Sequence, residues 1–171
     1  MNFDFSDDQK LLRDQARKFL TDKCDRTVVR SVLEDSQKNH SDDLWKEIST
    51  MGWTGTAIPE EYGGLGLDSL FAISVSESLG KGVAPYPFIG SFLIAPFLIN
   101  KLGSDSQKQK YLPSIANGEY RFAVALTEMT GRRIEKGIQS SKQKLSGQSL
   151  FVMDDIHSTH YLILDSDGAL H

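Results

Sequence analysis

The side chains of this chain that are best suited to chemistry lie in two short segments of its last part. Thr127 and Glu128 end an apolar run, and their hydroxyl and carboxylate are hydrogen-bonding groups. Asp154 and Asp155 end a second apolar run. Paired carboxylates need partner groups for acid–base catalysis, and no such pattern accompanies them. We therefore interpret the aspartate pair as an exposed turn.

Other motifs carry weaker signals. His157 and His160 are three residues apart on a loop-to-strand segment without a third ligand, so we expect no metal site. Cys24 is the only cysteine, which excludes an intramolecular disulfide and a cysteine-based metal site. The glycine-rich segment 58–66 has no preceding strand and no following Gly-Lys-Ser/Thr, so it makes a poor phosphate cradle. Its glycines more simply supply positive backbone angles.

Length and charge narrow the classes of protein. A chain of 171 residues is one domain, or one domain and part of another. Its net charge of -4 argues against nucleic-acid partners and a basic membrane-surface helix, because both require clustered lysine and arginine. The most apolar run, 88–99, is too short to span a bilayer. The acidic start lacks the apolar stretch of a signal peptide, so we expect a cytoplasmic protein.

Helical periodicity fills the first part of the chain. Capping-box pairs at Ser6/Gln9 and Ser104/Gln107 predict helix starts. We predict helices from Ser6, from Ser41 to Gly52, over 69–79 with Gly80 closing it, over 88–102, and from Ser104 to about 116. The predicted inward residues are Leu12, Ala16, Phe19 and Leu20; Leu44, Trp45, Ile48 and Met51; and Leu70 and Ile73, with Phe71 as an alternative.

Two of these helices have special features. The 88–102 helix is apolar almost all round, which is typical of a helix buried on several sides. It is therefore an ordinary core helix or a wall of a ligand tunnel, and it lies centrally or against another subunit. Pro113 interrupts the last helix, and we expect it to kink the helix or to shorten it to Leu112.

At Tyr120 the periodicity changes to that of strands. We predict strands within 120–126, 134–140, 143–146, 149–153 and 159–165. Helices followed by strands indicate an α+β fold, with an all-α domain (1–118) and the beginning of a β domain (119–171). A lone five-stranded sheet would be incomplete, so we interpret the sequence as the front part of something longer.

The order of elements and several motifs resemble the acyl-CoA dehydrogenase family, from its N-terminal helical domain into its barrel-like middle β domain. The motifs are FSDDQ (5–9), MGW (51–53), IPEEYGGLG (58–66), GS (103–104), QK (107–108), YLP (111–113), NGE (117–119), ALTE (125–128), LSGQ (145–148) and FVM (151–153). They cover nearly the whole chain in the family's order. The family's C-terminal helical domain would lie outside this sequence.

This resemblance implies an activity. Family members remove the α-hydrogen of an acyl-CoA as a proton and pass the β-hydrogen as hydride to the N5 atom of FAD, which gives a trans-2-enoyl-CoA. Electrons then leave through an electron-transferring flavoprotein. The implied cofactor is FAD, with the protein supplying orientation and electrostatics. The implied assembly is a homo- or hetero-oligomer, a dimer or a tetramer. The catalytic base, a glutamate of the C-terminal domain, would not be in this chain.

The resemblance also implies a cofactor site. Its residues are Val124, Leu126, Thr127, Phe151, Val152 and Met153. Thr127 is the best candidate for a hydrogen bond to the isoalloxazine ring. Phe151 occupies the place of a tryptophan that packs against the flavin. Val152 and Met153 occupy the places of an isoleucine and of a threonine or serine.

Three departures from the family pattern concern this site. The family continues after Thr-Glu with Pro and then Gly-Ser-Asp, where this chain has Met-Thr-Gly and then Arg132 and Arg133. Arginine forks suit pyrophosphate or coenzyme A phosphates, although we favour solvated turn residues. Met153 has no hydrogen-bond donor for flavin N5. The aspartate pair that follows would repel an anionic reduced flavin.

Two hypotheses follow from these observations. The chain is part of a working FAD-dependent acyl-CoA dehydrogenase, or it belongs to a degenerate partner subunit, without flavin, of a heteromeric dehydrogenase. A stand-alone helical interaction module is disfavoured, because the β segment would then have no purpose. The length and branching of the acyl chain do not follow from the sequence.

Overall fold

A computed structural model describes residues 4–35, 40–126, 137–156 and 158–171. The helices are α1 (Asp7–Lys23), α2 (Arg26–Leu33), α3 (Asp42–Thr50), α4 (Ser69–Gly82), a π-helix (Ile89–Ile94) that continues into α5 (Ala95–Leu102), and α6 (Asp105–Ala116). The strands are β1 (Phe122–Ala125), β2 (Gln139–Ser141), β3 (Lys144–Ser146) and β4 (His160–Ile163). Helices followed by strands confirm the predicted fold class.

Both predicted capping boxes are present. The Ser6 hydroxyl accepts a hydrogen bond from the Gln9 N–H, and the Gln9 side chain accepts one from the Ser6 N–H. Ser104 and Gln107 form the same reciprocal pair at the start of α6. These pairs satisfy amides that have no partner within the helix, so the sequence fixes both helix starts locally.

Helix α2 was missed by the sequence analysis. Asp25 caps it by accepting hydrogen bonds from the amides of Thr27 and Val28. Val32 is the residue of this eight-residue helix that is buried. A single buried position cannot produce a recognisable apolar stripe, and the capping aspartate was the available signal.

Helix α3 largely follows its prediction. Leu44, Trp45 and Ile48 are buried, whereas Met51 is 42% exposed, so its predicted inward position is wrong. Met51 lies beyond the last helical residue, next to Gly52, whose φ of 76° turns the chain away.

The buried face of α4 differs from the predicted one. Leu70 and Ile73 are each 48% exposed, and the buried apolar residues are instead Ala72, Val75 and Leu79. Ser74 and Ser78 are also buried, with hydroxyls bonded to carbonyls four residues earlier. These small polar residues allow close packing against α1, and a hydrophobicity pattern assigns them to solvent. The helix also continues past Gly80 to Gly82.

The glycine-rich segment 58–66 is ordered by its backbone. Gly63 and Gly66 have φ angles of 80° and 63°, which confirms the predicted positive angles. A Cβ at Gly64 would lie 2.1 Å from the Ile58 carbonyl oxygen, so this glycine permits a close approach of two backbone segments.

The 88–102 region begins as a π-helix and continues as α5, with Phe92, Ala95 and Ile99 buried.

Helix α6 runs through Pro113 to Ala116, so the predicted shortening at Leu112 is wrong. Leu112 and Ile115 are fully buried, and the Thr54 hydroxyl donates to the Ala116 carbonyl at 2.7 Å. These contacts hold the last turn of α6 despite the proline.

The described residues contain four strands in two pairs, where the sequence predicts five short strands. β1 lies parallel to β4, and β2 and β3 form an antiparallel hairpin. The predicted strand at 149–153 contributes one isolated bridge, between Met153 and Val124. Asp154, with a φ of 59°, turns the chain directly after this bridge and ends the pairing. Of the predicted strand at 134–140, residues 134–136 lie outside the described residues.

Two apolar clusters organise the molecule. The helical core joins α1, α3 and α4 with the π-helix and includes Leu20, Trp45, Trp53, Val75 and Phe92. The junction core joins α5, α6, β1 and β4 and includes Ile99, Leu112, Ile115, Phe122, Val124 and Leu162. β1 therefore lies against the helices, and all four of its residues are buried.

Candidate functional site

The two segments singled out by the sequence lie side by side. The Val124 N–H donates to the Met153 carbonyl at 2.9 Å, and the Met153 N–H donates to the Val124 carbonyl at 3.0 Å. Both backbone groups of Val124 are therefore bonded to one residue of the second segment. On its other side β1 pairs with β4, where Val124 lies opposite Leu162.

The side chains of the predicted site differ in exposure. Leu126, Val152 and Met153 are half-buried, and Phe151 is 69% exposed. We refer to these four residues together as the apolar edge. Val124 has no accessible surface. Thr127, the predicted hydrogen-bonding residue, lies outside the described residues, as do Arg132 and Arg133.

The composition of the apolar edge suits the face of a flavin ring. An exposed aromatic side chain beside half-buried aliphatic ones offers apolar area for a planar ring. Met153 cannot supply the hydrogen-bond donor that the ring's N5 atom would use, because its thioether has no donor and its N–H is bonded to Val124. Within the described residues the edge therefore offers apolar side chains, and Met153 offers no hydrogen-bond donor.

Asp154 departs from the exposed turn that the sequence predicts. It is half-buried, and its Oδ2 accepts a hydrogen bond from the Gly90 N–H at 2.6 Å. Burial raises the pKa of Asp154, and its hydrogen bonds from the Gly90 and Ile89 amides oppose that rise. The next residue, Asp155, is exposed as predicted and accepts a hydrogen bond from the Tyr161 hydroxyl at 2.8 Å.

The start of the π-helix also touches β1 directly. The Ser91 hydroxyl accepts a hydrogen bond from the Phe122 N–H at 2.8 Å. A Cβ at Gly90 would lie 2.0 Å from the Phe122 carbonyl oxygen, so only glycine allows this approach. The apolar run 88–102 concealed these contacts from the sequence analysis, because a serine and a glycine within it read as simple interruptions.

Asp165 is a buried charge that the sequence analysis missed. It has no accessible surface and accepts hydrogen bonds from the Asp167 and Ala169 amides at 3.0 and 2.8 Å. His171 Nε2 lies 2.9 Å from its Oδ2. Hydrogen bonds from the side chains of Ser140 and His171 and from these amides hold the pKa of Asp165 far below its usual range. The available signal was the Asp-Ser-Asp-Gly turn composition.

An aromatic group surrounds His160 at the start of β4. Its ring centroid lies 4.1 Å from that of Tyr120 and 5.2 Å from that of Phe122, and it also contacts Tyr111. Burial lowers the pKa of His160, and the nearby Lys110 ammonium adds to this. A cavity of about 160 Å³ lies beside this group, between α5, α6 and β4. It is lined mainly by apolar residues of the junction core.

In the part of the chain that the structure describes, His, Cys, Asp and Glu side chains form no cluster of three able to hold a metal ion; His157 lies outside that part. None of the helices described above combines the length and apolarity required to cross a membrane.

The chain is similar to known proteins over nearly its whole length. Residues 6–119 match the family described as acyl-CoA dehydrogenase, N-terminal domain. A relative named probable acyl-CoA dehydrogenase, from Bacillus subtilis (strain 168), is 32% identical over 168 residues, which are 94% of this chain and 25% of the relative. The chain thus spans about a quarter of that relative's length.

Solved structures share the fold. An acyl-CoA dehydrogenase complexed with FAD, from Bacillus anthracis, has a TM-score of 0.73 at 23% identity. The match covers 95% of this chain and 29% of the chain in that structure. A chain of the ChsE4-ChsE5 complex from Mycobacterium tuberculosis has a TM-score of 0.61 at 24% identity. The match covers 73% of this chain and 31% of that one. At these identities the likeness concerns the fold.

Proposed function

The chain belongs to the acyl-CoA dehydrogenase family, and we propose that it is a portion of an FAD-dependent acyl-CoA dehydrogenase. The proposed reaction converts an acyl-CoA thioester to a trans-2-enoyl-CoA. The observation that carries this proposal is the pair of backbone hydrogen bonds between Val124 and Met153, which joins the two predicted flavin-contacting segments. The FAD in a structure of the same fold supports the choice of cofactor.

Each described site residue has a proposed role. Leu126, Val152 and Phe151 hold one face of the isoalloxazine ring through apolar contact. Val124 holds Met153 in register through its backbone, and its own side chain packs in the junction core. Thr127 would bond the polar edge of the ring. FAD, when bound, supplies an acceptor for the hydride that leaves the substrate.

The rest of the machinery is proposed to lie outside this chain. The catalytic base belongs to a C-terminal helical domain, and an electron-transferring flavoprotein receives the electrons. The boundary between helical and β domains lies near residue 118. The assembly is a dimer or tetramer, and the location is cytoplasmic.

Anaerobic titration of the flavin-loaded, full-length gene product with acyl-CoA thioesters tests this proposal. Thioesters of straight-chain, branched and cyclic acids would be added separately, and the flavin absorbance band would be followed. We expect at least one thioester to bleach the band and to yield its enoyl-CoA. A flavin-loaded protein that no thioester reduces would contradict the proposed activity.

A second candidate is the degenerate partner subunit of a heteromeric dehydrogenase. One observation favours it: Met153 has neither a side-chain donor nor a free N–H, and the carboxylate of Asp154 follows at once. The solved ChsE4-ChsE5 complex shows that this fold occurs in a complex of two named proteins. Co-expression with an adjacent dehydrogenase-like partner tests this candidate. Flavin that appears only in the complex, at about half the number of chains, would support it.

A further inference from the structure

We propose that Asp154 is a positioning residue, whose side chain fixes the Met153 segment against the start of the π-helix and thereby sets the apolar edge at which the flavin ring docks. The effect on flavin docking rests on the proposed function. The attachment of Asp154 to Gly90 rests only on contacts of the described residues.

The attachment is a short, half-buried hydrogen bond between distant parts of the chain. The Gly90 N–H donates to Asp154 Oδ2 at 2.6 Å, and the two residues are 64 positions apart. The nearby Ile89 amide also lowers the pKa of this carboxyl group. Amides at the start of a helix have no partner within it and carry partial positive charge, so an ionised carboxylate is well suited to this place.

This bond closes a ring of contacts around β1. Phe122 of β1 donates to the Ser91 hydroxyl of the π-helix at 2.8 Å. Val124 of β1 exchanges two hydrogen bonds with Met153. Asp154, the next residue, returns to Gly90 and so completes the ring. Two successive residues are therefore held by hydrogen bonds: Met153 to β1, and Asp154 to the π-helix.

The backbone of Asp154 points to the same role. Its φ of 59° lies in the left-handed region, which costs free energy for residues other than glycine but is best tolerated by asparagine and aspartate. Strain of this kind persists where surrounding contacts hold it. The hydrogen bond to Gly90 supplies such a contact, and it aims the chain away from the bridge immediately after Met153.

One oxygen of the Asp154 carboxylate is directed at the start of the π-helix. Two free carboxylates at this place would repel an anionic reduced flavin. One oxygen of Asp154 is instead bonded to helix-terminal amides, which partly offset its charge. Asp155, which is exposed and bonded to Tyr161, makes no such contact and provides a matched control.

The test compares Asp154→Ala, Asp154→Asn and Asp155→Ala in the full-length gene product. The amide oxygen of asparagine can still accept the Gly90 N–H, and asparagine also tolerates a positive φ. Two measurements are made: hydrogen–deuterium exchange at residues 89–91 and 152–154, and the affinity for FAD together with the visible spectrum of the bound flavin.

We expect Asp154→Ala to lose exchange protection at Gly90 and to bind FAD about tenfold more weakly with a shifted flavin band, as is typical of losing one charge-assisted hydrogen bond. Asp154→Asn should recover most of both properties, and Asp155→Ala should match the wild type. Unchanged protection and unchanged FAD affinity in Asp154→Ala would overturn the proposal, as would an Asp154→Asn variant as impaired as Asp154→Ala.

The two proposals fail in different ways. If the wild-type protein binds no FAD, the proposed enzyme function fails, while exchange at Gly90 still decides whether Asp154 holds the segment. If FAD binds and Asp154→Ala leaves the flavin spectrum unchanged although exchange increases, the attachment is real but does not position the flavin, and the inference is overturned.

Discussion

The helical core and the strand region of this protein are held together in different ways. In the helical core, apolar side chains from α1, α3, α4 and the π-helix pack around Trp45, Trp53 and Phe92. In the strand region, β1 packs in the junction core, whereas the segments that follow it make individual polar contacts through Asp154 and Asp165, and Leu150, Phe151 and Ile156 are exposed. Stability thus resides mainly in the first region, and the proposed flavin surface in the second.

The largest expected effect tests the buried face of α4. Leu79→Ala should lower the free energy of unfolding by about 2–5 kcal/mol, because Leu79 is 4% exposed in the helical core. Leu70→Ala, the same substitution at a 48% exposed site, should change it by no more than about 0.5 kcal/mol. Chemical denaturation of both variants gives the comparison. Equal losses would mean that α4 is rotated relative to the structure described here.

The next effect tests the contact between the two regions. Gly90→Ala should cost about 1–3 kcal/mol, because the new Cβ would lie 2.0 Å from a backbone oxygen of β1. Gly80→Ala in α4 is the control: no atom lies within 4 Å of its Cβ position, so it should stabilise the protein by about 0.5–1 kcal/mol. Thermal and denaturant unfolding measure both. A neutral Gly90→Ala would refute the close packing of the π-helix on β1.

A smaller effect concerns the buried carboxylate in the strand region. The pKa of Asp165 is lower in the fold than its ordinary value of 3.8, so its ionised form stabilises the fold above about pH 4. That contribution is lost as pH falls below this value. Asp165→Asn should lower the melting temperature by about 5 °C at pH 7.

The same variant gives the pH signature. The difference in melting temperature between wild type and Asp165→Asn should narrow as the pH falls from about 4 to 2, because the carboxyl is then protonated in the unfolded chain while the fold still holds it ionised. A constant gap across this range would show that the charge of Asp165 does not stabilise the strand region.

The smallest effect concerns the apolar edge. Met153→Thr should strengthen flavin retention a few-fold, because it restores a hydroxyl donor beside the ring. Met153→Val has a similar branched shape without the donor and should give no gain. Flavin per chain after dialysis measures both variants. Equal retention in Thr and Val variants would count against a hydrogen bond from this position.

Features that depend on residues close together in the chain are the ones that the sequence predicts correctly. Helix starts at Ser6, Ser41 and Ser104 depend on residues within one turn, so they were predicted correctly. β1 was recognised by its alternation and is confirmed within the predicted segment. The backbone pairing of Val124 with Met153 brings the two segments together, and their shared flavin site stays a prediction.

The errors concern contacts between residues far apart in the chain. Asp154 was read as an exposed turn because its partner, Gly90, lies 64 residues earlier. The buried face of α4 was misassigned because Ser74 and Ser78 satisfy their hydroxyls within the helix and then pack against α1. The pattern of neighbouring residues in the sequence carries no information on such distant contacts. The predicted flavin role of Thr127 stays a prediction.

Whether this chain carries a flavin-binding face is decided by the visible absorbance spectrum of the full-length gene product, purified after expression alone. We expect a flavin band corresponding to about one FAD per chain, with the apolar edge holding the ring. A colourless protein that also fails to take up added FAD would contradict the claim that this chain carries a flavin-binding face.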